Sequence, residues 1–431
     1  MKQINIIGAG LAGSEAANFL ANHGLTVHLY EMRPKNNTEA HHTSLFGELV
    51  CSNSLKNKKL DNACGLLKEE IKLLGSLMME ASEHSSVPSG DSLAVDRTLF
   101  AEYITKKIKE NKNIIIHNEK VTKIPEGYTI ICTGPLTDKD LLLEIENITK
   151  QKSFGFFDAS APIIEKDSID FSKVFMKSRY NQGDDSYINC PFSKEEYLNF
   201  YRELINAKRA PLHDFDKCYF EGCLPIEVIA SRGEDTLRYG PLKPKGLEND
   251  GKEYYAVVQL RQDDLIGSLY NMVGFQTNLT YSEQKRVFSL IPGLENANIM
   301  RYGVMHRNTF INSPELLNPS LQTRARKDLF FAGQITGTEG YTESIASGLL
   351  AGINMARHIN GEELLVLPTE TMLGALTNYI TSPVQKHFQP INSNWAIVKE
   401  MDIPKKIRKN KKEKNKILSD RALEVLSNVI V

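Results

Sequence analysis

An α/β fold, in which a domain built on a parallel sheet is interrupted by a second α/β domain, is predicted by three features. The chain opens with a short apolar strand, a glycine turn and a helix; a second strand and glycine turn recur near residue 330; and between about Phe154 and Arg324 the texture shifts to short mixed strands and Gly/Pro-rich turns. With 431 residues and 41% hydrophobic content the chain can bury two cores, at roughly 100–200 residues per domain.

Ile4 to Ile7 reads as a buried strand, Leu11, Ala12 and Glu15 through Leu20 as a helix, and Val27 to Tyr30 as a second strand, which together make a βαβ unit. The turn between the first two, Gly8-Ala9-Gly10-Leu11-Ala12-Gly13, satisfies G-x-G-x-x-G in the place where that pattern has a mechanism. Gly8 permits the tight turn, Gly10 lets backbone approach a pyrophosphate, Gly13 allows close helix–strand packing, and the helix N-terminus favours the anion. Glu31 ends the second strand, about 20 residues on, where a carboxylate would accept hydrogen bonds from a ribose. These elements predict a Rossmann-type dinucleotide site. Arg33 either adds a polar contact beside Glu31 or is a surface arginine.

Residues 42–84 read as mainly helical after a loop, with Leu66, Leu67, Glu70, Ile71 and Leu74 at helical spacing, and Val87-Pro88-Ser89-Gly90 as a breaker. A helix from Arg97 to Lys109 precedes the strand-like Asn113 to His117. Tyr128 to Gly134 forms another buried strand, ending in Thr133 and Gly134, a second point where backbone approaches a nucleotide. The α/β texture returns at Asp328-Leu329-Phe330-Phe331-Ala332-Gly333-Gln334-Ile335-Thr336-Gly337, followed by a small-residue helix from Ser344 to Ile359. Two glycine turns favour FAD over NAD, because an extended FAD would span Gly10 on one and Gly333, Gln334 and Gly337 on the other. The expected organisation is a discontinuous FAD-binding domain (1–153 and 325–368), an inserted substrate or RNA domain (154–324), and a C-terminal helical and basic tail (369–431). Lys399 to Lys416 is dense in Lys and Arg, and is either a phosphate-contacting segment or a solvated helix.

Lys+Arg (52) and Asp+Glu (53) nearly cancel, so any polyanion must be held by a local surface. No signal-peptide pattern and no apolar run of membrane-spanning length is visible, so a cytoplasmic protein without a membrane partner is expected. The six cysteines show neither C-x-x-C nor Cys–His zinc spacing, and no metal is expected. Cys51 stands where apolar residues give way to Ser52-Asn53-Ser54, which cap helices well; a thiol at a helix start would have a lowered pKa. Cys223 stands in Gly222-Cys223-Leu224-Pro225, a turn that could present it to a cleft. Spacing alone leaves plain burial open for both.

Longer blocks narrow the choice. Gly8 to Ala17, His41-His42-Thr43, Glu48 to Leu55, Leu93 to Arg97, Ser178-Arg179-Tyr180, Tyr219 to Val228, Val258 to Asp263, Met272 to Thr277, Tyr302 to Pro314 and Phe330 to Gly340 closely resemble the folate- and FAD-dependent RNA uracil-5 methyltransferases. The sequence departs from that pattern at Ser89-Gly90-Asp91-Ser92 and at Ser44-Leu45. The resemblance implies that Cys223 attacks uracil C6 and that Cys51 is the partner base for the C5 proton. It implies FAD, 5,10-methylenetetrahydrofolate as carbon donor, NADPH or NADH as reductant, and no obligate protein partner. The RNA would be tRNA, typically its T-loop uridine, or 23S rRNA in one branch. Arg97, Arg179, Arg261, Arg301 and Arg307 would then hold phosphates or serve as structural ion pairs. Tyr341 would pack on the flavin or folate ring or be a core tyrosine, and His306 would orient substrate or be a core histidine. Rival readings are a wobble-uridine flavoprotein that works with a GTPase, a small-molecule flavin dehydrogenase, and a non-catalytic RNA-binding factor with structural FAD.

Overall fold

In the computed structural model, which describes residues 3–182, 184–211, 224–384 and 388–430, the first three elements are β1 (Gln3–Ile7), α1 (Leu11–Asn22) and β2 (Thr26–Tyr30). β1 and β2 pair in parallel from Gln3↔Thr26 to Ile7↔Tyr30. They lie inside a five-stranded parallel sheet in the order Leu329–Phe331, Thr129–Ile131, β1, β2, Ile114–His117. Ile4, Ile6, Val27, Leu29, Ile130, Ile131, Phe330 and Phe331 are all fully buried, as expected of parallel strands covered on both faces.

The helix Tyr341–Asn360 returns across α1 at very short range. A Cβ at Gly348 would lie 2.3 Å from the Ala12 carbonyl oxygen, and one at Gly352 would lie 3.2 Å from the Ala16 Cα. Small residues on both helices therefore bring two helix N-termini side by side at the same end of the sheet.

The chain leaves this core along Phe154–Ala159 and returns along Met305–Phe310, and these two strands pair with each other antiparallel over six residues. Between them stands an antiparallel six-stranded sheet in the order Phe175–Met176, Ile188–Phe192, Ala256–Gln262, Leu269–Met272, Ile163–Glu165, Ile299–Arg301. It has a core of its own, in which Phe192, Tyr197, Phe200, Phe275 and Phe288 pack together. The helix Lys194–Asn206 enters that core through a capping box between Ser193 and Glu196. The predicted class, a Rossmann-type parallel sheet interrupted by a second α/β unit, is the observed one.

Residues 42–84 are less helical than their composition suggests. Helix occupies Ala63–Leu73 and Leu77–His84, whereas Ser54–Asn57 is a strand paired with Ser92–Val95. Asn53 decides the matter: its side-chain amide donates to the Val95 and Gln262 carbonyls at 3.1 and 2.8 Å, and its own carbonyl accepts from Val95 N–H. The basic tail is also anchored. In the helix Lys411–Ile430, Leu418, Ala422 and Leu426 are buried, Asn415 donates to the Asp61 carbonyl at 2.9 Å, and Lys411, Lys412 and Lys416 face solvent. No helix among the described residues is long and apolar enough to cross a membrane.

Candidate active site

A cleft opens at the C-terminal ends of β1, Thr129–Ile131 and Leu329–Phe331. Its walls include Gly8, Gly10, Leu11, Ala12, Glu31, Arg33, Thr133, Gly134, Gly333, Gln334 and Tyr341. The three glycines of the first turn divide their work. Gly8 has φ +99°, and a Cβ there would lie 2.6 Å from the Cys132 carbonyl oxygen. At Gly13 a Cβ would fall 1.8 Å from the Gly8 oxygen, so Gly13 stands behind the cleft and closes helix on strand. A Cβ at Gly10 would meet no protein atom within 4 Å, so the harm of that added carbon falls on what the cleft holds. Ala9 and Gly337 also stand back from the wall. Ala9 donates its N–H to Glu31 Oε2 at 3.0 Å, and Gly337, at φ +86°, makes room for the Phe388 ring.

Arg33 is not a surface residue. Its side chain is 2% exposed and binds Glu31 Oε1 through Nε at 3.0 Å, Glu31 Oε2 through Nη2 at 3.2 Å and Glu48 Oε2 through Nη1 at 3.1 Å. Burial alone would push Glu31 up, but hydrogen bonds and charge from Arg33 hold its carboxyl below the usual range. Both Glu31 oxygens thus already accept from the chain, and a ribose would share this carboxylate rather than find it free. Glu48 in turn accepts from the His42 and Thr43 N–H groups, and the Thr43 hydroxyl donates to it at 2.9 Å. His41 is held neutral, its pKa pushed down to about 4 by burial and then by Arg33. Thr38, His41, Glu48, Val50 and Thr137 also line the cleft. They come from loops without periodicity, where only the blocks containing His41 and Glu48 gave a signal.

The fit of a dinucleotide can be judged from the helix ends. α1 starts at Gly10 and the helix Tyr341–Asn360 at Gly340, and neither has a side-chain cap. The first turn of α1 carries no acidic residue, so its positive end meets the cleft uncompensated, which suits an anionic ligand, whereas the helix Tyr341–Asn360 carries Glu343 in its own first turn.

Cys51 lies in a loop beside this cleft, and no helix begins there. Its backbone N–H and that of Ser52 both donate to the Tyr341 hydroxyl oxygen, at 2.7 and 3.0 Å, and its carbonyl accepts from Arg97 Nη2 at 3.4 Å. The thiol points to the Ala159 carbonyl at 3.8 Å. Without the expected helix dipole, burial pushes the thiol up to about 12; Asp158 adds to the shift and Arg97 opposes it. Cys51 is therefore a neutral thiol at pH 7. Its rate of alkylation by iodoacetamide, followed by peptide mass spectrometry, should climb about tenfold per pH unit from pH 7 to pH 10; a plateau below pH 8.5 would contradict this environment. Cys223 lies outside the described residues.

Other polar groups converge on the same region. Glu339 is buried, accepts from Gln334 Nε2 at 2.6 Å and is pushed up to about 8 by burial, with Asp158 adding to it. His306 is buried with Nε2 3.9 Å from Asp158 Oδ2, and burial lowers its pKa. Several of the arginines expected to meet phosphates are committed within the protein. Arg97 pairs with Asp263 at 3.0 Å, Arg261 donates to Asn53 Oδ1 at 3.0 Å, and Arg179 donates to Gln259 Oε1 at 3.0 Å. Arg307 is exposed. Among the described residues, no group of three or more His, Cys, Asp or Glu side chains is placed to hold a metal ion.

The family model of glucose inhibited division protein A matches residues 3–363. Two bacterial relatives named "Methylenetetrahydrofolate--tRNA-(uracil-5-)-methyltransferase TrmFO" align end to end. The one from Listeria monocytogenes serovar 1/2a is 57% identical over 431 residues, covering 99% of each chain, and the one from Bacillus cereus strain Q1 is 56% identical over 430 residues, covering 99% of this chain and 98% of its own. The chain belongs to the TrmFO family. Cys51, Arg97, Glu339 and His306 all fall inside the blocks quoted above. In fold, this TrmFO-family chain resembles the solved structure of Aquifex aeolicus GidA, with a TM-score of 0.70 at 19% identity over 98% of this chain and 74% of that one.

Proposed function

We propose that this chain is an FAD-dependent enzyme that carries the methylene of 5,10-methylenetetrahydrofolate to C5 of a uridine in tRNA, with the T-loop uridine as target and NADPH or NADH as reductant. One observation carries the reading: Tyr341 lines the nucleotide cleft and at the same time holds the backbone of Cys51, so a thiol is tied to the wall of a dinucleotide site. The names of relatives 56–57% identical over the full length support the substrates.

When bound, FAD would supply hydride transfer and the folate would supply the carbon. Gly8, Gly10 and the start of α1 would hold the pyrophosphate, Glu31 the ribose, and Thr133, Gly134, Gly333 and Gln334 the far end of the same ligand. Uracil C5 is a weak nucleophile. Addition of the Cys223 thiolate at C6 would turn C5 into an enolate carbon able to attack an electrophilic carbon. Cys51 would then take the C5 proton at Sγ, and the electron pair left behind would release the carbon from its carrier as an exocyclic methylene on C5. Once a hydride has reduced that methylene to methyl, the restored electron pair would expel the Cys223 thiolate from C6. Because burial holds Cys51 as a thiol, it must lose its own proton as the site fills, and Arg97 beside its carbonyl favours that loss.

Purified protein given a tRNA transcript, methylenetetrahydrofolate and NADPH should place 5-methyluridine at the T-loop position, read by mass spectrometry of nuclease fragments, without any GTPase partner. Methylation of a 23S rRNA transcript in place of tRNA would move the target. Methylation of neither RNA by flavin-loaded protein would end the reading.

A further inference from the structure

The strand Ile299–Arg301 is the outer edge of the inserted sheet, pairing among the described residues only with Ile163–Glu165 and bulged between Ile299 and Arg301. Its residues address two places. Arg301 turns inward, where its electrostatic neighbours are Arg97, Asp263, Glu48 and Tyr341. Both carboxylates there are already bound by other arginines, Asp263 by Arg97 and Glu48 by Arg33. Arg301 Nη1 is buried without a hydrogen-bond partner among the described residues. A guanidinium left this way beside a second cation is costly unless an anion joins it.

On the outer side, Met300 is 55% exposed and Tyr302 stacks on Tyr281 with ring centres 4.7 Å apart. Tyr281 is 56% exposed. Tyr302 also lines a polar groove with Lys285, Asn296 and Asn298. A single edge strand thus joins an unmatched cation, near Glu48 and Tyr341 of the cleft wall, to a partly exposed aromatic pair beyond it, the combination that holds single-stranded nucleic acid by phosphate and by base stacking.

We propose that this edge is an RNA-binding surface, on which Arg301 holds a backbone phosphate of the strand entering the cleft and the Tyr281–Tyr302 pair stacks a base flanking the target uridine. The proposal rests on the RNA-methylating reading above. A folate tail also ends in carboxylates that Arg301 could bind, but it has no ring beyond them to reach the tyrosines.

The test is binding of a fluorescein-labelled T-arm hairpin to the flavin-loaded protein between 50 and 200 mM KCl. Arg301→Gln should weaken binding about tenfold at the low-salt end and reduce the salt slope by about one, with Arg301→Lys keeping the slope. Tyr281→Ala combined with Tyr302→Ala should weaken binding about tenfold and leave the slope unchanged. Flavin content and the KM for methylenetetrahydrofolate should stay at wild-type values; if Arg301→Gln loses flavin, the tyrosine double variant decides, and its wild-type affinity would overturn the proposal. Wild-type affinity and slope in Arg301→Gln would overturn it too, while leaving the methylation reading intact. A raised folate KM with unchanged RNA binding would do the same, giving Arg301 to the folate carboxylate. Failure of the wild-type protein itself to bind or methylate the hairpin would remove both readings together.

Discussion

Cys223→Ala and Cys51→Ala should each lower methylation by roughly three orders of magnitude or more, and they should fail differently. Without Cys223 no covalent bond to uracil C6 can form, so 5-fluorouridine RNA should not be trapped on denaturing gels. Without Cys51 the bond can still form, but the C5 proton stays, and a protein–RNA adduct should accumulate. Both variants should remain yellow, since Cys51 contributes no hydrogen bond to the cleft through its sulfur; its thiol points to the Ala159 carbonyl. Equal trapping by Cys223→Ala and the wild type would remove it as nucleophile. Near-normal turnover in Cys51→Ala would assign the proton to another group, with Glu339 the nearest alternative in chemistry.

The second large effect separates two glycines only three residues apart. Gly13→Ala forces a Cβ to within 1.8 Å of a backbone oxygen, so the first turn must come apart, at a cost of more than about 4 kcal/mol in stability. Both Tm and flavin content should collapse. At Gly10 an added Cβ meets no protein atom within 4 Å, and the backbone there is extended, at φ −74° and ψ −162°, a region valine adopts without strain. Gly10→Val should keep the apoprotein within about 1 kcal/mol of wild type while flavin content falls below a tenth. Normal flavin in Gly10→Val would mean that the pyrophosphate lies elsewhere.

What could be read from the sequence was what local physics specifies. The βαβ unit was legible because strand, glycine turn, helix and acid follow one another within about 30 residues, a length scale on which periodicity and turn chemistry act directly. The same held for the second turn at Gly333 and the small-residue helix behind it. Arg33 could not be resolved, because its surroundings are set by Glu48 as much as by Glu31. Cys51 was misread for a sharper reason. Ser52-Asn53-Ser54 is good capping chemistry, but Asn53 spends its amide on Val95 and Gln262, partners 42 and 209 residues away. Glu70 shows the same limit: it stands at helical spacing with Leu66, Leu67 and Ile71, and it is buried with them because the Met372 and Leu373 N–H groups of a distant helix donate to its carboxylate. In the tail, the apolar spacing of Leu418, Ala422 and Leu426 was present but overshadowed by lysines.

The paired crossings Phe154–Ala159 and Met305–Phe310 carry a consequence for how such a protein can change. Asp158, His306 and Asn308 belong to this ladder, with His306 opposite Asp158, and side chains alternate faces along each strand. Losing or gaining one residue in either crossing would turn every later side chain of that strand to the opposite face, carrying the polar groups near Cys51 away with it. Length can vary in the 145 or so residues strung between the crossings, at about 0.6 kcal/mol per doubling for a flexible loop. The ladder itself tolerates no such drift, so the inserted unit is free to diversify only as cargo on a ruler whose divisions are fixed.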